Sequence, residues 1–254
     1  MRTLKLVLEY DGSQYRGWQV QVDAPTVQGV LEQALAAIVG ETVRVNSAGR
    51  TDSGVHALAQ VVSFQSTSPL PCDALQRALN SLLPRDVAVH AVQDAPASFH
   101  ARYSAQGKVY EYRILNRPVR SALRLRYVWH VPQPLHLEVM EAAAAYMRGT
   151  HDFASFQAAG SAVQSSERTL TELKIAREGD EIVLRFAADG FLRYMVRNMV
   201  GTLVEVGRGA RAPADIKTIL EARDRRRAGI TAPPHGLYLV QVLYEKMALR
   251  DQGI

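Results

Sequence analysis

The run TVRVNSAGRTDSGVHALAQVVSFQ, from Thr42 to Gln65, holds two β-like stretches around a loop of turn formers. Thr42 to Ser47 and Gln60 to Gln65 carry the β-branched and aromatic residues that suit a pleated surface, and Gly49 to Gly54 is bounded by glycines. Upstream, Leu4 to Tyr10 reads as a strand that stops at the turn signal Asp11-Gly12. Thr26 is placed to cap a helix in which Val27, Val30, Leu31, Ala34, Leu35 and Ile38 share one face, and Gly40 is placed to end it. Downstream, Leu75, Ala78, Leu79 and Leu82 mark a second helix that ends before Pro84, and Val87 to Val92 a further strand. The order to this point is β, α, β, β, α, β.

A similar plan follows. Val109 to Leu115 and Tyr127 to Val131 are predicted strands, and Val139, Met140, Ala143 and Met147 mark a helix ending at Gly149. Leu173 and Ile175, then Ile182, Leu184 and Phe186, alternate on either side of Gly179-Asp180, the pattern of a hairpin. Leu192 to Val206 is a long apolar helix, Asp215 to Ala222 a shorter one, and Leu237 to Glu245 a closing strand. The fold class is therefore α+β, two halves similar in plan with mainly antiparallel sheets, and no short fixed-period repeat.

With 254 residues the chain can bury a substantial core, and 47% hydrophobic with 22% charged residues is the balance of a folded globular protein. A formal charge of +5 favours a polyanionic partner without naming one. The single Cys72 excludes an internal disulfide and a cysteine zinc cage. The N-terminal run has a charge inside its short apolar stretch, and no segment is long and apolar enough to cross a bilayer, so a cytoplasmic protein without membrane contact is expected.

Three segments carry residues suited to chemistry. The loop Gly49 to His56 sets Asp52 between turn formers, with Arg50 two positions before it and His56 four after. Two readings fit: a tight turn whose aspartate bonds its own backbone, or a loop presenting a carboxylate kept ionised by an arginine. Phe191 to Gly201 repeats Arg193, Arg197 and Gly201 every four residues in an apolar stretch. Two like charges on one helix face need solvent or a nearby anion, so both snorkel outward or Arg197 turns inward to a carboxylate. Tyr110, Tyr112 and Ile114 alternate on one face of a strand, either as core or as a platform for a base. Arg117, Arg120, Arg124 and Arg126, and the run Arg223 to Arg227, either lie solvated or track phosphates. His56, His100 and His151 lack ligand-pair spacing, and no phosphate-loop or dinucleotide fingerprint occurs, so neither metal nor cofactor is expected.

Taken in chain order, Glu9-Tyr-Asp-Gly-Ser13 with Gly17-Trp-Gln19, Gly49-Arg-Thr-Asp52 with Gly54-Val-His56, Phe99-His-Ala-Arg102, Tyr110 with Tyr112, His151-Asp-Phe153 with Ser155-Phe156, Met195-Val-Arg-Asn198 and Gly236-Leu-Tyr-Leu239 closely resemble the tRNA pseudouridine synthase A family, from near residue 9 to near residue 240. Ser53 stands where that pattern has alanine. The resemblance implies two related α+β domains of the RRM-like or ferredoxin-like kind, 1–104 and 105–254, flanking a basic cleft. It implies a cofactor-independent homodimer that isomerises uridine to pseudouridine in the anticodon stem and loop of tRNA. It carries the nucleophile onto Asp52, its arginine partner onto Arg197 and the stacking role onto Tyr110, with Arg50, His56 and Arg193 as further substrate contacts. Two other classes stay open: a noncatalytic RNA-binding protein, for which Asp52 is dispensable, and a nucleosidase that releases free base, which ordinarily needs a second acid or a poised water.

Overall fold

Leu4, Leu6 and Leu8 have no solvent exposure and alternate along β1 (Arg2–Tyr10), which fixes one face of that strand to the core. The computed structural model describes residues 1–160 and 164–244. β1 pairs antiparallel with β3 (His56–Ser66) and β4 (Val87–Ala95), and its apolar face joins the core that also holds Leu31 and Leu35 of α1 (Val27–Val39) and Leu75 and Leu79 of α2 (Cys72–Leu82). Thr26 caps α1 by accepting from the Gly29 N–H at 3.3 Å, and Gly40 ends it in the left-handed region, as the sequence predicts.

The second half repeats the logic with a longer hairpin. β5 (Gly107–Leu115) pairs antiparallel with β9 (Glu181–Ala188), β9 with β8 (Glu167–Glu178), and β8 with β7 (Gly149–Asp152). The turn falls at Gly179-Asp180 and sets Leu173 opposite Phe186 and Ile175 opposite Leu184, so the predicted alternation holds the register. α3 (Leu137–Ala145), α4 (Met195–Gly207) and α5 (Asp215–Ala222) complete the helices among the described residues.

One strand joins the halves. β10 (Leu237–Leu243) runs antiparallel to β5 and parallel to β3, so the sheet order is β4-β1-β3-β10-β5-β9-β8-β7. Two short strands complete the ten: β2 (Asn46–Ser47) on β3 and β6 (Trp129–His130) on β5. The architecture is thus mixed α and β on one large, mostly antiparallel sheet. Leu239 sits opposite both Ala57 and Tyr110, which brings the start of β3 and the middle of β5 to the same seam.

Several expected elements are shorter. Of Thr42 to Ser47 only Asn46–Ser47 forms a strand, because the Val45 N–H is taken by the Glu32 carboxylate of α1 at 3.0 Å instead of a strand neighbour. Tyr127 to Val131 contracts to β6, since the Tyr127 and Val128 N–H groups close a turn on the Arg124 carbonyl. The helix predicted from Leu192 begins at Met195, because Tyr194 is left-handed at φ +65°. The helix predicted to reach Gly149 ends at Ala145, and Gly149 instead opens β7, too short to show a pattern in the sequence. β10 ends at Leu243, and Glu245 lies outside the described residues.

Gly201 shows how closely α4 is packed. A Cβ there would stand 1.8 Å from the Ile230 carbonyl oxygen, so only glycine lets segment 229–232 lie on the helix. Gly201→Ala is expected to cost at least about 1–3 kcal/mol, lowering Tm by about 2–4 °C per kcal/mol in a chain of this size. A thermal melt unchanged within a degree or so would show that this segment shifts freely.

Candidate active site

The Asp52 loop is shaped by its own main chain and by β1. The Val55 N–H donates to the Asp52 carbonyl at 3.1 Å, with Gly54 third in the turn at φ +76°, the conformation that favours glycine there. The Trp18 N–H donates to the Thr51 carbonyl at 3.0 Å, Thr51 shares a hydroxyl hydrogen bond with Tyr10 at 2.8 Å, and Gln60 Nε2 donates to the Gly49 carbonyl at 2.8 Å. Backbone bonds therefore close the turn, and the carboxylate is left to meet something else.

It meets Arg197. Arg197 Nη1 donates to Asp52 Oδ2 at 3.3 Å, while Arg197 Nε donates to the Ala232 carbonyl at 2.8 Å. The guanidinium lies 4.8 Å from the centre of the Tyr194 ring, whose other neighbour, Arg193, lies at 4.9 Å. Both ion-pair partners are largely withdrawn from solvent, at 12% exposure for the arginine side chain and 25% for the aspartate. Burial lifts the Asp52 carboxyl above its ordinary value, and Arg197 and, more weakly, Arg193 pull it back part of the way. The cation beside Asp52 is thus not Arg50, two residues away, but Arg197 from the other half of the chain. Nor do Arg193 and Arg197 share a helix face, because Arg193 precedes the helix.

Around this pair lies a cleft of about 1150 Å³ whose lining, among the described residues, holds Asp52 as its one carboxylate and seven cations: Arg16, Arg44, Arg50, Arg102, Lys108, Arg193 and Arg197. Arg44 is paired with Glu32 and Arg197 with Asp52, whereas Arg16, Arg50, Arg102, Lys108 and Arg193 form no ion pair among the described residues. The basic clusters expected elsewhere are half neutralised: Arg117 pairs with Asp180, Arg124 with Glu181, Arg223 with Asp152 and Arg226 with Asp224, whereas Arg120, Arg126 and Arg227 form no ion pair among the described residues. Arg225 is tied to Asn198, Thr231 and the Ala228 carbonyl. Within the cleft, then, five cations without an ion-pair partner among the described residues surround the Asp52–Arg197 pair, a lining that attracts an incoming polyanion.

Tyr110 is buried at the cleft floor, edge-on to Phe191 at 5.0 Å, and burial raises its hydroxyl's pKa well above the ordinary range. Tyr112, two residues on, is core: its hydroxyl donates to the Pro233 carbonyl at 2.7 Å. His56 departs from the expectation of a substrate contact. It is buried outside the cleft lining, stacked on Tyr238 at 4.9 Å, with Nδ1 at 3.1 Å from both the Gly12 nitrogen and Asp11 Oδ1, and Nε2 facing the Arg126 and His235 carbonyls. Burial lowers its pKa against the pull of Asp11. With both nitrogens engaged, His56 anchors the loop instead of reaching a ligand.

His100, Arg102, Lys108, Tyr194 and Leu237 also line the cleft. Sequence reasoning gave them no role, although Lys108 shares the strand parity of Tyr110, which was signal enough to place it on the same face. No group of three or more His, Cys, Asp and Glu side chains suited to a metal occurs among the described residues.

The sequence profile described as tRNA pseudouridine synthase matches residues 6–104 and 143–245. The chain belongs to the tRNA pseudouridine synthase family. A protein of Thermoanaerobacter sp. (strain X514), called tRNA pseudouridine synthase A, is 48% identical over 244 residues, spanning 96% of this chain and 100% of its own. One of the same name from Moorella thermoacetica is 50% identical over 247 residues with the same coverage. A solved structure titled as a Cbf5-Nop10-Gar1 complex is similar at 10% identity and a TM-score of 0.37 over 92% of this chain and 57% of that one. As a tRNA pseudouridine synthase the chain is an isomerase: it converts uridine to pseudouridine in tRNA, detaching the base from ribose at N1 and rejoining it at C5. No helix among the described residues is long and apolar enough to cross a membrane.

Proposed function

We propose that Asp52 is the group that attacks a uridine flipped into the cleft, with Arg197 holding its carboxylate and Tyr110 stacking on the base. The observation that carries this reading is a carboxylate that stands alone, among the described residues, in a lining whose other charged groups are cations. A base stacked in an RNA stem is out of a side chain's reach, so it must be extruded at a cost of a few kcal/mol, which contacts to its backbone phosphates offset. Asp52 then assists departure of the base by covalent attack on ribose or base, or by taking a ribose proton. A nucleosidase of the usual kind needs a second acid or a poised water, and the cleft lining supplies no second carboxylate among the described residues.

The substrate site in this reading is the anticodon stem and loop, and Arg50 and Arg193, exposed on the cleft wall without carboxylate partners, contact its RNA. The chain is organised as two related RRM-like α+β units, 1–104 and 105–254, a division in keeping with the profile match that breaks after residue 104. The protein works as a cytoplasmic homodimer. Val119, Leu123 and Leu125, at 72%, 90% and 57% exposure on one segment, are apolar groups that a second copy would cover. Light scattering at micromolar concentration gives twice the chain mass if so.

Because backbone contacts are the expected source of affinity, binding falls steeply with salt and conversion depends on an intact stem. The experiment titrates an intact tRNA and an unstructured oligonucleotide of the same local sequence across a salt series, mapping pseudouridine in each. Equal turnover of the two, or binding indifferent to salt, would place specificity in local base readout and overturn this account.

A further inference from the structure

Lys108 lies on β5 two residues before Tyr110, so the two side chains share a face of the strand and start about 7 Å apart. Its stem runs against the Asp52 loop: a Cβ on Gly49 would stand 3.0 Å from Lys108 Cε. The side chain is half-buried in the cleft lining, yet makes no hydrogen bond and no ion pair among the described residues. The charges nearest in effect are two more cations, Arg102 and Arg168, and one acid, Asp189. That acid is exposed and accepts the Thr169 N–H at 3.1 Å, and Arg168 is occupied by the Ser165 and Glu167 carbonyls.

An ammonium half-buried in a cleft it shares with Arg102, with no anion at bonding distance among the described residues, is stabilised by what arrives, not by what is present. Burial first, then Arg102 and Arg168, lower its pKa, the same deficit seen from the proton's side. An oxyanion reached by Lys108 and Arg102 together removes that deficit. The spacing of about 7 Å between the two strand positions is on the scale of one nucleotide of extended backbone.

We propose that Lys108, seconded by Arg102, is a phosphate subsite that takes a backbone phosphodiester flanking the target uridine while Tyr110 holds the base. The assignment deepens the reading of the cleft given above and rests on it. Lys108 here binds and positions; it takes no part in bond making.

The test uses purified full-length protein and a stem-loop RNA carrying a neutral methylphosphonate at one linkage: 5′ of the target uridine, 3′ of it, or remote. Wild type is expected to lose affinity by about tenfold at one flanking linkage and little at the remote one. Lys108→Met is expected to bind the unmodified RNA about tenfold more weakly, with a salt slope smaller by about 0.7 to 0.9, and to show no further loss at the sensitive linkage. Lys108→Arg is expected to keep most of the affinity. Penalties that stay additive in Lys108→Met, or an unchanged salt slope, would overturn the subsite. If Lys108→Met fails to match the wild-type thermal melt, the wild-type scan alone decides: equal penalties at flanking and remote linkages overturn the proposal. All readouts are of binding, so loss of the Asp52 assignment, which is read in conversion, is distinguishable from loss of this one.

Discussion

Asp52→Asn is expected to lower pseudouridine formation by at least about a thousandfold while leaving tRNA affinity equal or slightly tighter. The amide keeps the shape of the carboxylate but has neither its nucleophilicity nor its basicity, and the backbone bonds that close the loop do not involve the side chain. Affinity does not fall, because the substitution removes the one negative charge from a cleft lined by cations that receive a polyanion. The measurement is single-turnover conversion with saturating enzyme, beside a binding titration of the same RNA. Conversion within tenfold of wild type would sink the assignment. Tight binding without conversion is also what separates an enzyme whose aspartate acts from a protein that merely holds RNA.

Arg197→Met is expected to act through pH. Burial already lifts the Asp52 carboxyl above its ordinary value of 3.8, and Arg197 is the strongest influence opposing that rise. A raised carboxylate pKa means that the ionised form appears only as pH climbs through the raised value, so the acid limb of the wild-type rate lies above that of an exposed aspartate. Without Arg197 the limb moves further up. Conversion near neutral pH then falls by about ten- to a hundredfold, with partial recovery as the pH is raised. Lysine does not substitute, because Nε and Nη1 of one planar group bond the Ala232 carbonyl and Asp52 at once. An acid limb that stays in place would remove Arg197 from the carboxylate's environment.

The strongly periodic elements were legible in the sequence. The α1 face with its threonine cap and the β8–β9 register both appear as the pattern requires, and α5 matches to the residue. What the sequence hid was long-range. Nothing in the order of residues shows that Val45 bonds a helix carboxylate instead of a strand, or that Tyr194 turns left-handed and so takes Arg193 off the helix. Spacing left Asp52, Tyr110 and Arg197 open to structural readings and the family resemblance singled them out; the three line one cleft. His56 misled because nearness in sequence was read as nearness to the ligand, whereas its ring faces Tyr238 from the far half of the chain. Lys108 was given no role although its parity with Tyr110 places it on the same strand face; what the sequence could not show is that it forms no hydrogen bond or ion pair among the described residues.

The parallel pairing of β10 with β3 covers only Tyr238↔His56 and Leu239↔Ala57, yet it seats the last strand of the sheet between the chain's two halves. During synthesis the residues that will hold Asp52 emerge long before those that will hold Arg197, and neither half can dock on the other until the strand that fits between them has left the ribosome. A nascent or truncated chain ending before Leu237 therefore carries the acidic loop without the seam that brings its partner near. Such a chain is expected to convert no tRNA, since it lacks the strand on which the two halves meet.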